Sequence, residues 1–331
     1  MTVQSNPLKI IDMSVDPEKA GDELLEAAKS QGFLFIEGHG LSQTEVDALF
    51  DATEKFFDLP KAYKENYLID RNNEGYTAFG AENLDPAIQE TGDPKEAFNI
   101  NFSKLLNGTS LKGLPDFFIG DSTRMRVLSQ VMQKLHDLSI KVLEILAFGL
   151  KMEDKKWFTR RYLATAKSGS TLRMLHYPRP NKLARDVDVR AGAHTDYGSM
   201  TFLFQRENQE GLEILLPVEN VWQAVPFVQT NKTKFPTEAP PLVVNIADQL
   251  SYWTADLLHS TLHRVRFQSN QDSSADRYSI VFFSHPNDDA LLEPVPSDMI
   301  KSRVGKGANH ADSVLTAGEH LDRRLASTYG W

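Results

Sequence analysis

The chain has 331 residues, of which 41% are hydrophobic and 24% are charged, so it is long enough for one large globular domain or two modest ones. It contains no cysteine, which excludes disulfides and thiolate metal sites and favours a reducing compartment such as the cytoplasm. The net charge of −9 argues against a nucleic-acid partner, and no apolar run is long enough to suggest a membrane span. A protein-bound transition metal would therefore need histidine and carboxylate ligands.

The sequence predicts a mixed helical region over residues 1–120 and a larger region over 121–331, with no linker that would make the first an independent domain. Within the first region, Asp16-Pro17 is a favourable helix start, because an N-cap residue is followed by proline at the first helical position. A second helix is predicted from residue 42 to 57, where apolar residues repeat near the helical period. The stretch 72–120 is rich in Gly, Asn, Asp and Pro, and is predicted to form loops with short strands.

The larger region is predicted to begin with a long helix and to continue as a β-rich core over about 168–290. Apolar residues form a stripe from residue 122 to 150, which is typical of a helix packed along one face. A helical pattern returns over about 311–328. Between them, short β-branched or aromatic segments separated by turn residues suggest an antiparallel sandwich or barrel with flanking helices. These segments are 171–177, 199–205, 211–216, 221–228, 242–246, 262–267 and 278–284.

A His-x-Asp pair is the first chemical signal. Residues i and i+2 of an extended chain point to the same side, so His194 and Asp196 can face one point. His263 lies in another strand-like segment. Two histidines and one carboxylate can occupy one face of an octahedral metal and leave positions for O2 and a co-substrate, which suits non-haem Fe(II). Taken singly, a His-x-Asp pair is common by chance, and a lone histidine is more often a surface or core residue.

An Arg-x-Ser pair follows on the next predicted strand. Arg277 and Ser279 share a strand face, so a guanidinium and a hydroxyl can grip one carboxylate, the arginine in a bidentate manner. In isolation Arg277 would be interpreted as half of a surface ion pair. The succession of His-x-Asp, His and Arg-x-Ser, all on predicted strands, favours one joint site.

This succession resembles the isopenicillin-N-synthase-like branch of the Fe(II)/2-oxoglutarate-dependent oxygenases, along nearly the whole chain. Within that branch the chain is most similar to fungal members, which include a thymine hydroxylase and enzymes of polyketide secondary metabolism such as a tropolone-forming, ring-expanding oxygenase. The other matching stretches are Ile10 to Met13, Gly32 to Gly40, Gly75-Tyr76, Lys95 to Phe98, Leu172 to Pro178 and Pro286-Asn287.

The resemblance implies a mainly β fold with flanking helices, the double-stranded β-helix or jelly roll. It implies an enzyme that uses Fe(II), 2-oxoglutarate and O2 to oxidise a C–H bond of a small, planar organic molecule in fungal secondary metabolism. The reaction would be a hydroxylation or an oxidative rearrangement such as ring expansion. The implied metal ligands are His194, Asp196 and His263, and the residues implied for 2-oxoglutarate are Arg277, Ser279 and Tyr177.

Strand parity identifies residues that should face the substrate. Arg173 shares the strand face of Tyr177, and Arg190 shares that of His194. Two inward cations beside an aromatic wall would suit a flat substrate with acidic or carbonyl oxygens. In the thymine-type enzyme that the chain resembles, counterparts of three of the predicted residues contact substrate. The predicted substrate-binding residues are Arg173, Arg190, Tyr197 and Phe283. All of these except Arg190 have a counterpart that contacts substrate in the thymine-type enzyme.

Other histidines near these strands are not predicted as ligands. His176 is adjacent to Tyr177, so on a strand it faces the opposite side. Both His176 and His285 are expected to point outward or to pack. His259 precedes His263 at a spacing that suits a helix, but the flanking sequence is strand-like.

Three other functions remain open from the sequence. The protein could be a pyrimidine hydroxylase of the thymine type. It could be a non-catalytic ligand receptor, although loss of a triad residue or of Arg277 would then be expected. It could be an oxidase that uses the triad without 2-oxoglutarate, since Arg277 and Ser279 can also bind a substrate carboxylate; Tyr177 favours 2-oxoglutarate. The substrate's identity and the oligomeric state do not follow from the sequence.

Overall fold

The strands of this protein make up two sheets. The computed structural model describes residues 6–87, 89–108, 113–179, 189–267, 276–304 and 314–329. Within these residues the strands are β1 Ile10–Asp12, β2 Phe33–Glu37, β3 Gly75–Thr77, β4 Glu96–Asn101, β5 Thr171–Tyr177, β6 Val189–His194, β7 Met200–Phe204, β8 Leu212–Leu215, β9 Trp222–Ala224, β10 Leu242–Ile246, β11 His263–Arg266 and β12 Arg277–Ser284.

Helices flank the sheets, and none of those in the described ranges is long and apolar enough to cross a bilayer. The α-helices are α1 Pro17–Ser30, α2 Gln43–Phe57, α3 Lys61–Lys64, α4 Phe102–Leu106, α5 Asp116–Ile119, α6 Ser122–Gly149, α7 Asp248–Trp253, α8 Asp298–Val304 and α9 Ala317–Tyr329.

The two sheets pack face to face. The large sheet has the order β1-β2-β10-β7-β12-β5-β4-β3, and the small sheet has the order β6-β11-β8-β9. Strands β1 and β2 pair in parallel, whereas the central pairings of both sheets are antiparallel. Leu175 and Val281 of the large sheet form one buried cluster with Leu212 and Val265 of the small sheet. This cluster is the interior of the sandwich.

Helices cover the other face of the large sheet. Because successive strand residues point to opposite faces, Met174 and Ile280 join a second cluster, which includes Leu135 of α6. The large sheet is therefore buried on both faces, and all seven residues of β5 are buried. The first 120 residues contribute β1 to β4 to this sheet, where β2 pairs with β10 and β4 pairs with β5.

Local signals at the helix starts predicted the helices well. The Asp16 side chain accepts hydrogen bonds from the backbone N–H groups of Glu18 and Lys19 at the start of α1. Ser42 and Glu45 form a reciprocal capping box at the start of α2. The predicted helices at 16–30, 42–57 and 122–150 are confirmed as α1, α2 and α6.

Several boundaries differ from the prediction. Strand β9 ends at Ala224 rather than at residue 228, and Pro226, which has no N–H to donate to a ladder, follows closely. The short helices α3, α4, α5, α7 and α8 were not predicted as elements, whereas the strand expected at His194 is confirmed as β6. The C-terminal helix begins at Ala317, and residues 311–313 of the predicted helix lie outside the described residues.

Candidate active site

Three potential metal ligands converge on the small sheet. His194 ends β6 and lies opposite His263, the first residue of β11. The Nε2 atoms of His194 and His263 lie 3.8 Å and 3.7 Å from Oδ1 of Asp196. One ligand atom from each of the three residues lies within 4.8 Å of the other two. In the part of the chain that the structure describes, no second group of three or more His, Asp or Glu residues has such a geometry.

Backbone carbonyls orient both imidazoles. Nδ1 of His194 lies 2.7 Å from the Gly192 carbonyl oxygen, and Nδ1 of His263 lies 3.1 Å from that of Thr261. A carbonyl can only accept, so each Nδ1 carries a proton, and Nε2 is the ring nitrogen that faces the other ligands. Burial and the neighbouring His263 lower the pKa of His194 to about 3. His194 is therefore neutral at physiological pH, as a metal ligand must be.

Asp196 is held as a carboxylate by groups from the large sheet. Its Oδ2 accepts hydrogen bonds from Thr201 on β7 (2.6 Å) and Asn245 on β10 (2.7 Å). Burial opposes ionisation, but the two histidines and these two hydrogen bonds outweigh it and lower the pKa of Asp196. Two imidazoles and one carboxylate are a donor set that fits Fe(II).

A carboxylate-binding group lies on the facing strands of the large sheet. Arg277 of β12 pairs with Tyr177 of β5, and its guanidinium carbon lies 4.9 Å from the centre of the tyrosine ring. Its Nε donates to the Gln209 carbonyl oxygen at 2.8 Å, but Nη1 is buried and has no hydrogen-bond partner among the described residues. A buried donor without a partner calls for an acceptor. Together with the buried hydroxyl of Ser279, it fits the distal carboxylate of 2-oxoglutarate.

One cavity of about 130 Å³ connects the two groups. His194, Asp196 and His263 line it from the small-sheet side, and Arg277, Ser279 and Tyr177 line it from the large sheet. Three of the four residues predicted to bind substrate also line this cavity, namely Arg173, Tyr197 and Phe283.

Arg190 does not line the cavity. Its guanidinium carbon lies 4.1 Å from the centre of the Phe267 ring, and Nη1 donates to the Pro178 carbonyl oxygen. The register explains why strand parity was misleading here. His263 pairs with His194, but Val265 pairs with Ala191, so β6 contains one extra residue at a bulge. Ala191, rather than Arg190, therefore shares the cavity face with His194.

The cavity has further walls that the sequence did not predict. His285 lines it, contrary to the expectation, because it follows Phe283 of β12 by two residues and lies on the same side. Leu321, Leu325 and Thr328 of α9 also line it. No local pattern indicates where a helix docks. Asn73, Glu82, Leu84 and Lys95 come from the region predicted as loops.

The arginine that faces the cavity is part of a charge network. Glu82 accepts hydrogen bonds from Arg173 at 2.8 Å and from Lys95 at 2.9 Å, and Lys95 also contacts Asp93 at 2.5 Å. Burial disfavours the Lys95 cation, but the two carboxylates outweigh burial and raise its pKa. Of the two cations expected to point inward, Arg173 lines the cavity and is paired with Glu82, whereas Arg190 does not line it.

Family models match most of the chain. Residues 8–114 match the model described as the N-terminal part of non-haem dioxygenases in morphine synthesis, and residues 168–286 match the 2OG-Fe(II) oxygenase superfamily. A Schizosaccharomyces pombe protein, UPF0676 protein C1494.01, is 32% identical over 93% of this chain and 88% of its own. Clavatol oxidase claD of Penicillium crustosum is 30% identical over 99% of both chains.

A solved structure has the same architecture over its whole length. Thymine 7-hydroxylase of Neurospora crassa, in complex with alpha-KG and 5-formyluracil, matches with a TM-score of 0.73 and 25% identity over 96% of each chain. The protein belongs to the 2OG-Fe(II) oxygenase superfamily, and its two-sheet sandwich is the jelly roll that the sequence predicted. It is an oxidoreductase whose family uses Fe(II), 2-oxoglutarate and O2, as expected.

His176, next to Tyr177, lies between two carboxylates. Its Nδ1 lies 2.8 Å from Glu96 and its Nε2 lies 2.9 Å from Asp276, and its ring stacks on Tyr278 with a centroid distance of 4.7 Å. Burial lowers the pKa, but the two carboxylates outweigh burial and raise it. A raised folded-state pKa stabilises the fold below the unfolded-state value of about 6.5, and this stabilisation is lost as the pH rises through the folded-state pKa.

We therefore expect the stability difference between the wild type and His176→Gln to be largest near pH 6 and to shrink towards pH 9. Urea denaturation at several pH values measures it. His259→Gln, at an exposed position, is the control and should leave stability within about 0.5 kcal/mol of the wild type throughout. A difference between the wild type and His176→Gln that is the same at every pH would contradict the ionic role.

Proposed function

We propose that His194, Asp196 and His263 bind Fe(II) and that a second group of residues holds the distal carboxylate of 2-oxoglutarate. One observation supports this assignment above the others. The two imidazoles and the carboxylate line the same cavity as a buried arginine nitrogen that has no partner among the described residues. The proposed 2-oxoglutarate residues are Arg277, Ser279 and Tyr177.

The chain's own residues position and shield the reactants. When bound, Fe(II) with 2-oxoglutarate supplies the activation of O2 that couples oxidative decarboxylation to oxidation of a substrate C–H bond. The Nδ1–H bonds of both histidines keep their Nε2 lone pairs directed at the metal position. Apolar side chains of Leu175, Val281 and Phe283 line the same cavity and limit access of water.

The substrate is proposed to be a small, planar organic molecule of fungal secondary metabolism. Similarity to clavatol oxidase supports this class, and Phe283 and Tyr197 offer aromatic surfaces in the cavity. Arg173, Tyr197 and Phe283 are the proposed substrate contacts. The N-terminal region, residues 1–120, is proposed to form part of the catalytic unit, because Glu82 and Lys95 line the cavity.

Similarity to the Neurospora crassa enzyme, which has been solved with the pyrimidine 5-formyluracil, favours a pyrimidine as the alternative substrate. The two classes can be separated by incubating the enzyme with Fe(II), 2-oxoglutarate and either planar aromatic compounds or pyrimidines. We expect at least one aromatic compound to stimulate succinate formation and to yield an oxidised product by mass spectrometry. Stimulation by pyrimidines alone would replace the aromatic class with the pyrimidine class.

Removing a proposed metal ligand should abolish turnover and leave the fold intact. His194→Ala and His263→Ala each delete one of three ligands, so we expect loss of stoichiometric Fe(II) binding by metal analysis and no detectable succinate. His259→Ala is a matched control, since His259 is exposed. Near-normal succinate formation by either ligand variant would refute the assignment.

Removing the proposed carboxylate anchor should weaken co-substrate binding. Arg277→Ala leaves the carboxylate of 2-oxoglutarate without its charged partner, a loss of roughly 2–5 kcal/mol for a buried pair. The KM for 2-oxoglutarate should rise by roughly thirtyfold or more, since every 1.4 kcal/mol is a factor of about ten. Arg264→Ala is the control, because Arg264 pairs with Glu213 on the small sheet. An unchanged KM in Arg277→Ala would mean that Arg277 binds something else, such as the substrate.

A further inference from the structure

Four buried charges from two distant parts of the chain meet beside the cavity. Glu82, Asp93 and Lys95 come from the segment before β4, and Arg173 lies on β5, the strand next to β4. Their exposed fractions are 4% for Glu82, 0% for Asp93, 3% for Lys95 and 8% for Arg173. Glu82, Lys95 and Arg173 line the cavity itself. Buried charges are costly unless they are paired, so this arrangement strongly constrains what can bind beside it.

Each charge of this network contacts an opposite charge among the described residues. Glu82 bridges Arg173 and Lys95, and Asp93 neutralises the second cation through its contact with Lys95. Asp93 is further held by the backbone N–H of Gly192, at 3.0 Å. Within the described part of the chain, these two cations are therefore matched by two carboxylates before any substrate arrives.

The other charged groups of the cavity are assigned to the metal and to 2-oxoglutarate. Asp196 faces the two histidines, and Arg277 is the proposed partner of the co-substrate carboxylate. The hydroxyl of Tyr197 is hydrogen-bonded to Thr328 of α9. Arg190, the other cation predicted to face the substrate, lies outside the cavity lining. Among the described residues that line the cavity, an anionic substrate would therefore find no uncompensated cation, and it would lie beside the Glu82 carboxylate.

We propose that Glu82 is a specificity-determining residue that restricts the enzyme to uncharged planar substrates with an N–H or O–H donor beside a carbonyl oxygen. A carboxylate only accepts hydrogen bonds and a guanidinium only donates them. Glu82 and Arg173, side by side, complement such a donor–acceptor edge. The corresponding carboxylic acid, ionised at neutral pH, is repelled by Glu82 and offers no donor. This inference rests on the proposed function, because it assigns the remaining cavity to the substrate.

The test compares two probes of nearly the same shape, 4-methylbenzamide and 4-methylbenzoate. The whole chain is loaded with Mn(II), which replaces Fe(II) without turnover, and with saturating 2-oxoglutarate. Calorimetry then gives the Kd of each probe for the wild type and for Glu82→Gln, which keeps the side-chain shape but removes one negative charge. The measured quantity is the ratio of the carboxylate Kd to the amide Kd.

We expect the wild type to prefer the amide, and Glu82→Gln to shift the ratio towards the carboxylate by roughly tenfold or more, because one cation becomes uncompensated. Glu238→Gln is the matched control. Glu238 is also buried, but it binds the backbone N–H groups of Gly38 and Gly40 and does not line the cavity. The ratio of the two Kd values in Glu238→Gln should equal that in the wild type.

The inference is overturned if the ratio of the carboxylate Kd to the amide Kd is the same in the wild type and in Glu82→Gln. It is also overturned if the wild type prefers the carboxylate or binds neither probe. Repeating the benzoate titration at a tenfold higher 2-oxoglutarate concentration reveals competition for the Arg277 site, which would also count against it. Failure of Mn(II) or 2-oxoglutarate to bind the wild type would refute the proposed function itself. Normal binding of both with an unchanged probe ratio refutes only the role of Glu82.

Discussion

The Asp196 carboxylate is the point at which the two sheets are tied together chemically. Oδ2 accepts hydrogen bonds from Thr201 and Asn245 of the large sheet, whereas Oδ1 faces the histidines of the small sheet. A buried carboxylate needs this compensation, since ionisation without partners would be prohibitively unfavourable. The sandwich must therefore hold β7 and β10 close to the end of β6. A metal ion at this point would add the positive charge that the arrangement lacks.

The N-terminal region supplies part of the same electrostatic balance. The segment before β4 brings Glu82 and Lys95 to the cavity, and Asp93 to the backbone of β6. The close approach at β6 depends on a glycine, because a Cβ on Gly192 would lie 2.6 Å from Oε1 of Gln89 and 2.8 Å from the backbone nitrogen of Asp85. Segments far apart in sequence thus contact one short strand. The helices and strands of the first 120 residues serve to fix this loop over the jelly roll.

Short-range patterns predicted the parts of the molecule that depend on short-range physics. Local sequence was sufficient to predict most strands, the apolar stripe of α6 and the helix caps at Asp16 and Ser42. The spacing of His194, Asp196 and His263 also indicated that these three residues converge. Long-range effects could not be predicted in this way. Parity failed at Arg190 because one bulge residue in β6 reverses the faces of the strand. The pairing of Arg173 with Glu82 could not be predicted, because Glu82 lies in a loop whose position depends on the whole fold.

The charged residues beside the cavity are joined to the proposed metal site through the backbone of β6. Asp93 accepts the N–H of Gly192, and the carbonyl of the same residue accepts Nδ1–H of His194. A peptide group polarised at its N–H is a stronger acceptor at its carbonyl, since hydrogen bonds in sequence reinforce one another at low dielectric. The charged residues beside the cavity therefore also help to hold His194, a proposed metal ligand, in its tautomer and orientation. A jelly roll can keep its core residues constant while its loops vary, but here the segment before β4 is constrained by the hydrogen bond from Gly192 of β6 to Asp93.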